Sequence, residues 1–196
     1  MSTPQAFIDD LAKVGIAVLS SWDLVNTRKS YPGAIPVLLD WLERAETEVP
    51  VHERENFREG LVRSLTVRDA SGVAVPALLR EFQRCNASRL YRWAVGNALA
   101  IVATDEFFDE LVELAQDRSF GLERQMLVFG LGRMKDPRAV DVLIGLLDDN
   151  VVAGHAVSAL GKLKVPRSRA ALEPFLDHPR PWVRKEAKKA LARLPE

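Results

Sequence analysis

The stretch DHPRPWVRKEAKKALARL, from Asp177 to Leu194, decides the fold. Asp177-His178-Pro179 breaks one helix and lets another begin. In the new helix Ala187 and Leu191 stand four apart on one face. Upstream, Leu61, Leu99, Leu131 and Leu160 each stand four residues after Phe57, Val95, Leu127 and Ala156. The residue before each of these five leucines is small: Gly60, Ala98, Gly130, Ala159 and Ala190. The residue after is small in four copies, Ala100, Gly132, Gly161 and Ala192. Glycine inside a helix costs about 1 kcal/mol relative to alanine, so small residues kept at one register point to neighbouring backbones that approach closely.

Each such segment, a B helix, follows a shorter amphipathic block, an A helix. The five A blocks read AIPVLLDWLE from Ala34, AVPALLREFQ from Ala74, FFDELVELAQ from Phe107, AVDVLIGLLD from Ala139 and SRAALEPFLD from Ser168. Their fifth position is always leucine: Leu38, Leu78, Leu111, Leu143 and Leu172. The B leucines recur at spacings of 38, 32, 29 and 31 residues. Helix pairs at such a period cannot bury their apolar faces alone and stack into an α-solenoid. Asp136-Pro137 fits the start of an A helix. Before the repeats, Thr3-Pro4 predicts a helix carrying Phe7, Ile8 and Leu11, and Ser21 to Asn26 reads as a serine-capped helical turn. Both would cover the open end of the first repeat.

The last repeat resembles the short bacterial class of HEAT repeat, the PBS-lyase type, whose B helix runs Val-Arg-x-x-Ala-x-x-Ala-Leu. The resemblance is strong in the last two repeats and loose in the first. Trp22 to Leu39 and Arg58 to Leu65 are also similar to uncharacterised bacterial HEAT-like proteins. The reading is an all-α, right-handed α-solenoid of about five HEAT-like helix pairs. It forms a single domain over residues 1–196, with an N-terminal helical cap at 1–30 and repeats at 31–196. Such a motif specifies a fold and leaves function open.

The composition agrees. The 196 residues carry 27 Lys+Arg against 27 Asp+Glu, with 47% apolar and 28% charged residues, which excludes a disordered chain. The one cysteine, Cys85, excludes an intrachain disulfide framework and a cysteine-based zinc site. No apolar run approaches the ~18 residues of a membrane span. The first residues, with Asp9 and Asp10 and no basic start, do not read as a signal peptide, so a cytoplasmic protein without membrane partners is expected.

The zero net charge conceals a segregation. Residues 105–118 alone sum to −5, whereas the five B segments are each positive and together carry about +11. In HEAT solenoids the B helices normally line the concave face, so the resemblance implies a basic concave surface. Two basic columns run through the B segments. Seven before the leucine come Arg54, Arg92, Arg124 and Arg184, the Val-Arg arginine of the repeat, whose stem is expected to pack and whose head is expected to pair. Two after it come Arg63, Arg133, Lys162 and Arg193, pointing away from the core. Lys185 and Lys189 add charge on the last B helix, and Trp93 with Ile101 on the second B segment and Phe129 on the third interrupt the polar side. Aromatic anchors rimmed by arginine are typical of protein-binding hot spots. The candidate partner-binding set is therefore Trp93, Phe129, Ile101, Arg63, Arg133, Lys162, Lys185, Lys189 and Arg193.

Catalytic patterns are thin. His52, His155 and His178 fall in different repeats without ligand spacing, so no metal is expected. Gly130-Leu-Gly132 lies inside a helix without the preceding strand of a dinucleotide loop and reads as packing. Asp105, Glu106, Asp109, Glu110 and Glu113 read as a solvated acidic face, and Cys85, beside Arg84, as an ordinary thiol. No catalytic residue and no cofactor is expected. The favoured function is a non-enzymatic protein–protein interaction module, an adaptor or immunity-type scaffold, holding an acidic or partly apolar partner. The alternative is nucleic-acid binding, as in HEAT-like DNA glycosylases; the zero net charge and pI near 6.9 argue against it. The resemblance also offers, more weakly, a lyase acting on a chromophore–protein bond. Oligomeric state is open.

Overall fold

The computed structural model describes residues 3–195. Among them the chain forms eleven α-helices, several extended by 3-10 turns, and no strand. Contacts gather in two compact units, Met1–Val102 and Ala103–Glu196.

The first unit opens with α1 (Gln5–Lys13), which begins directly after Pro4 and buries Phe7 and Leu11. It is followed by two helix pairs, α2 (Ala34–Glu48) with α3 (Val51–Ser64) and α4 (Val75–Gln83) with α5 (Arg89–Val102). Phe7, Trp41 and Phe57 meet edge to face, with centroids 5.2 to 5.9 Å apart. Asp10 accepts hydrogen bonds from the Trp41 indole at 3.1 Å and from Arg44 at 2.8 Å. These bonds hold its carboxyl far below the usual carboxylate range, with Lys13 the largest contributor, ahead of Arg44 and Trp41.

Residues 21–26 form hydrogen-bonded turns, not the helical turn the sequence suggests. Ser20 and Asp23 close them, through Trp22 N–H to Ser20 Oγ at 3.2 Å and Leu19 N–H to Asp23 Oδ2 at 2.7 Å. Ser21 is instead buried against α3. A Cβ built on Gly60 would lie 2.6 Å from Ser21 Oγ and 2.7 Å from its carbonyl oxygen. The tip is held again where Tyr31 Oη donates to Ser64 O at 2.7 Å. Burial, aided by the charge of Asp69, pushes that phenol up to about 12.

The second unit holds three pairs: α6 (Phe108–Gln116) with α7 (Gln125–Leu131), α8 (Ala139–Gly145) with α9 (Ala153–Leu163), and α10 (Arg169–Leu172) with α11 (Pro181–Arg193). The third B helix is shorter than its apolar pattern suggests. The segment ahead of α7 is 3-10 over Arg118–Arg124, itself kinked at Gly121 with φ 54°, ψ −127°, so α-helix begins only at Gln125. The last A helix is likewise mostly 3-10 past Leu172, with Pro174 near the start of that turn.

The repeated columns form the cores. Leu38, Leu78, Leu111, Leu143 and Leu172 are fully buried, as are Leu61, Leu99, Leu131 and Leu160. Leu191, in the final helix, is half-buried. The small residues do what their register implied. A Cβ on Gly132 would stand 2.6 Å from both Cα and Cβ of Ala159, and one on Gly161 would stand 2.6 Å from Cβ and 2.7 Å from Cα of Ala190. The residue after one leucine thus touches the residue before the next, and α7, α9 and α11 pack backbone to backbone.

Gly132→Ala should accordingly cost about 1–3 kcal/mol, because the atom it meets is main chain, and Gly132→Val should cost more. Chemical denaturation of both variants tests this; equal tolerance of the two would place Gly132 at a free surface.

A candidate protein-binding face on the B helices

The two basic columns have different fates. The first is spent on the fold. Arg54 Nε donates to Val49 O at 2.8 Å, just past α2. Arg92 reaches Phe82 O and Arg84 O at 2.8 Å at the end of α4. Arg124 reaches Ala115 O at 2.9 Å in the last turn of α6, and Arg184 reaches His178 O at 2.8 Å. Each arginine satisfies carbonyls left open at the end of its own A segment, where the helix dipole also favours a cation. The fourth repeat has Ala153 here. Its first turn is held from the preceding repeat, by Arg124 Nη2 on Asp149. Burial raises the Asp149 carboxyl, but Arg124, the Val151 amide and Arg118 outweigh it and leave the group below its ordinary range.

The second column stays at the surface. In the second unit Lys162 Nζ sits 3.0 Å above the centroid of the half-buried Phe129 ring, a cation–π contact between neighbouring B helices. Burial, followed by the charges of Arg133 and Arg193, lowers the Lys162 amine to about 8, against a weaker upward pull from Glu186. The structure therefore brings Phe129, Arg133, Lys162 and Arg193 together. No carboxylate pairs with Arg133, Lys162 or Arg193 among the described residues. Lys189 differs: it is tied to Glu186 at 2.8 Å. Glu186 also accepts from Ser158 at 3.2 Å, and the Lys189 bond leads in holding its carboxyl down. Lys185 is exposed.

In the first unit Trp93 is exposed and Ile101 half-buried. Arg63 is held by Glu59 at 2.7 Å, its guanidinium 5.9 Å from the Trp22 ring. It borders a small cavity of about 160 Å³ together with Asn26, Thr27 and Asn97.

The structure adds features that the sequence reading missed. Arg58 and Glu81, 3% and 4% exposed, pair at 2.7 Å beneath a cleft of about 610 Å³. Tyr91 Oη donates to Glu81 at 2.6 Å, and Arg84 joins at 2.8 Å. Burial first, then the Glu81 charge, drives the Tyr91 phenol far above its normal range. A signal for the pair existed. Three before the B leucine the other early copies have Gly96, Val128 and Val157, and at the eighth A position Trp41, Leu114 and Leu146, all buried. Arg58 and Glu81 are the charged exceptions in two core columns.

Trp182 is a second such feature. Its ring covers Gly154, where a Cβ would fall 2.1 Å from the indole, and it meets His155 edge to face at 5.5 Å. Burial lowers the His155 imidazole. The acidic face of the third A helix is partly engaged: Asp109 pairs with Arg138 at 2.8 Å, and Asp105 accepts the Lys135 amide at 2.8 Å. Cys85 is exposed. No group of metal-ligating side chains occurs among the described residues, and no helix there is long and apolar enough to cross a membrane.

Residues 108–192 match the family model of HEAT repeats. With helix pairs of one pattern in both units, the chain is a HEAT-like repeat protein. HEAT repeats generally mediate protein–protein interaction. No curated protein matches the chain.

The lowered Lys162 amine has a consequence for stability. Between about pH 8 and 10.5 the unfolded chain holds this proton and the folded chain has released it. This group therefore makes the fold more stable as pH rises through that window. Denaturation midpoints of the native protein and of Lys162→Met across pH 7.5–10.5 test it: the difference between them should shrink as pH rises, and a constant difference would mean that Lys162 titrates normally.

Proposed function

We propose that the protein is a non-enzymatic protein-interaction module that holds an acidic, partly apolar partner on the B-helix faces. One observation carries this: Arg133 and Arg193 stand close enough to Lys162 to add to the burial that depresses its amine, and the carboxylate that acts on it, Glu186, is already tied to Lys189. Crowding like charges costs stability, and a face that retains such a cost suits an external anion. In the second unit Phe129 beneath Lys162 supplies the apolar contact that charge alone lacks; in the first unit the exposed Trp93 and the half-buried Ile101 offer apolar surface of their own. Lys185, Lys189 and Arg63 contribute as rim charges, two of them already partly neutralised by Glu186 and Glu59. An adaptor or immunity-type role in the cytoplasm is the form this takes.

The test uses a photoactivatable cross-linking residue at position 93, 129 or 133, or, as the contrast, at 113 on the acidic third A helix. In an extract of cells that express the protein, the B-face positions should trap one discrete protein, and the trap should be lost on Arg133→Glu with the melting temperature unchanged. Cross-linking from position 113 alone, or to nucleic acid in place of protein, would contradict the proposal.

A further inference from the structure

Beside the cation cluster the second unit has a groove of about 480 Å³, between the loop that leaves α7 and the end of α9. Its size is in the range of sites that seat a ligand group. Its floor is apolar: Met134 and Val140 are buried, Leu163 and Val165 half-buried. Its rim carries Arg133, Lys135 and Lys162.

The charges at this rim do not cancel. The acids nearby are already taken: Asp105 accepts the Lys135 main-chain amide, and Glu186 is tied to Lys189. Asp136 is tied to Arg138 at 2.8 Å, and Asp141 to Arg167 through both carboxylate oxygens, one at 3.1 Å. Those arginines hold both carboxyls below their ordinary range. The side chains of Arg133, Lys135 and Lys162 have no carboxylate partner among the described residues. Three cations without a carboxylate partner, one of them Lys162 seated on the Phe129 ring, thus surround an apolar floor.

We propose that this groove is the docking site for an acidic segment of a partner protein, whose carboxylates meet Arg133, Lys135 and Lys162 while one apolar side chain lies on Met134, Val140, Leu163 and Val165. The inference rests on the protein-binding reading above and narrows it to a place and a sequence type. Charge complementarity selects the acidic residues. The floor selects the apolar one, and this is where the groove departs from a phosphate-tracking surface. A nucleic-acid backbone needs a run of cations along a track and gains nothing from an aliphatic floor.

Two blocked nonapeptides serve as probes: four glutamates on each side of a central leucine, and the same peptide with serine at the centre. Titrations of the full chain are read by fluorescence anisotropy, with a 20-base-pair duplex as competitor. The leucine peptide should bind about tenfold tighter than the serine peptide, a modest step for one aliphatic side chain. Val165→Thr, which keeps the shape and adds a hydroxyl, should erase most of that preference while leaving the serine peptide unaffected. Arg133→Glu should weaken both peptides, and the Lys162 amine should titrate at higher pH when the leucine peptide is bound.

If both peptides bind equally and Arg133→Glu weakens both, the groove assignment fails while the acidic-partner reading stands. If neither peptide binds and the duplex does, with steep salt dependence and sensitivity to Arg133→Glu, both fail together.

Discussion

Everything at the candidate face depends on the contact between Gly132 and Ala159, repeated between Gly161 and Ala190. With no side chain on the glycine, α7, α9 and α11 approach to main-chain distance. Arg133 and Lys162 directly follow the two glycines, and Arg193 stands three residues after Ala190. Once the glycine register fixes the spacing of these segments, the cations must crowd. The charges of Arg133 and Arg193 then add to the burial that chiefly depresses the Lys162 amine. A glycine in or at the end of a helix gives up conformational stability, which the close packing of the B helices offsets.

The arginines of the other column show how charge of the same sign can serve opposite ends. Arg54, Arg92, Arg124 and Arg184 bend back to carbonyls at the ends of A segments and hold each pair closed. Their heads are consumed within the fold. In the column nine residues later Arg63 pairs with Glu59 and Lys162 sits on Phe129, while Arg133 and Arg193 meet no carboxylate among the described residues. Helical phase alone separates the two roles, since nine residues rotate a side chain by about half of the circle.

Much of this was legible in the sequence because it is written in columns. The five leucines of the A blocks and the small residues beside the B leucines specify buried faces by repetition, and the structure buries all of them except the exposed Ala192. What the sequence hid was whatever breaks a column or lies outside one. Arg58 and Glu81 each look like ordinary surface charges in their own helix; their pairing shows only when two core columns are compared. The cover of Trp182 over Gly154 joins positions of different register in successive helices. Gly121 kinks the 3-10 turn ahead of α7 through a positive φ that apolar periodicity does not report. Ser21 is set by packing on Gly60, not by capping preference. The contact of Lys162 with Phe129 joins two positions singled out separately, which helix spacing makes neighbours.

The most direct measurement is the titration of the Lys162 amine by NMR in the native protein and in Gly161→Ala. If helix spacing creates the cation cluster, the native amine titrates near 8, and the added methyl, by forcing α9 and α11 apart, moves it toward 10.5. A native value already near 10.5, or a value near 8 that Gly161→Ala leaves untouched in a folded protein, would contradict the link between backbone contact and surface charge.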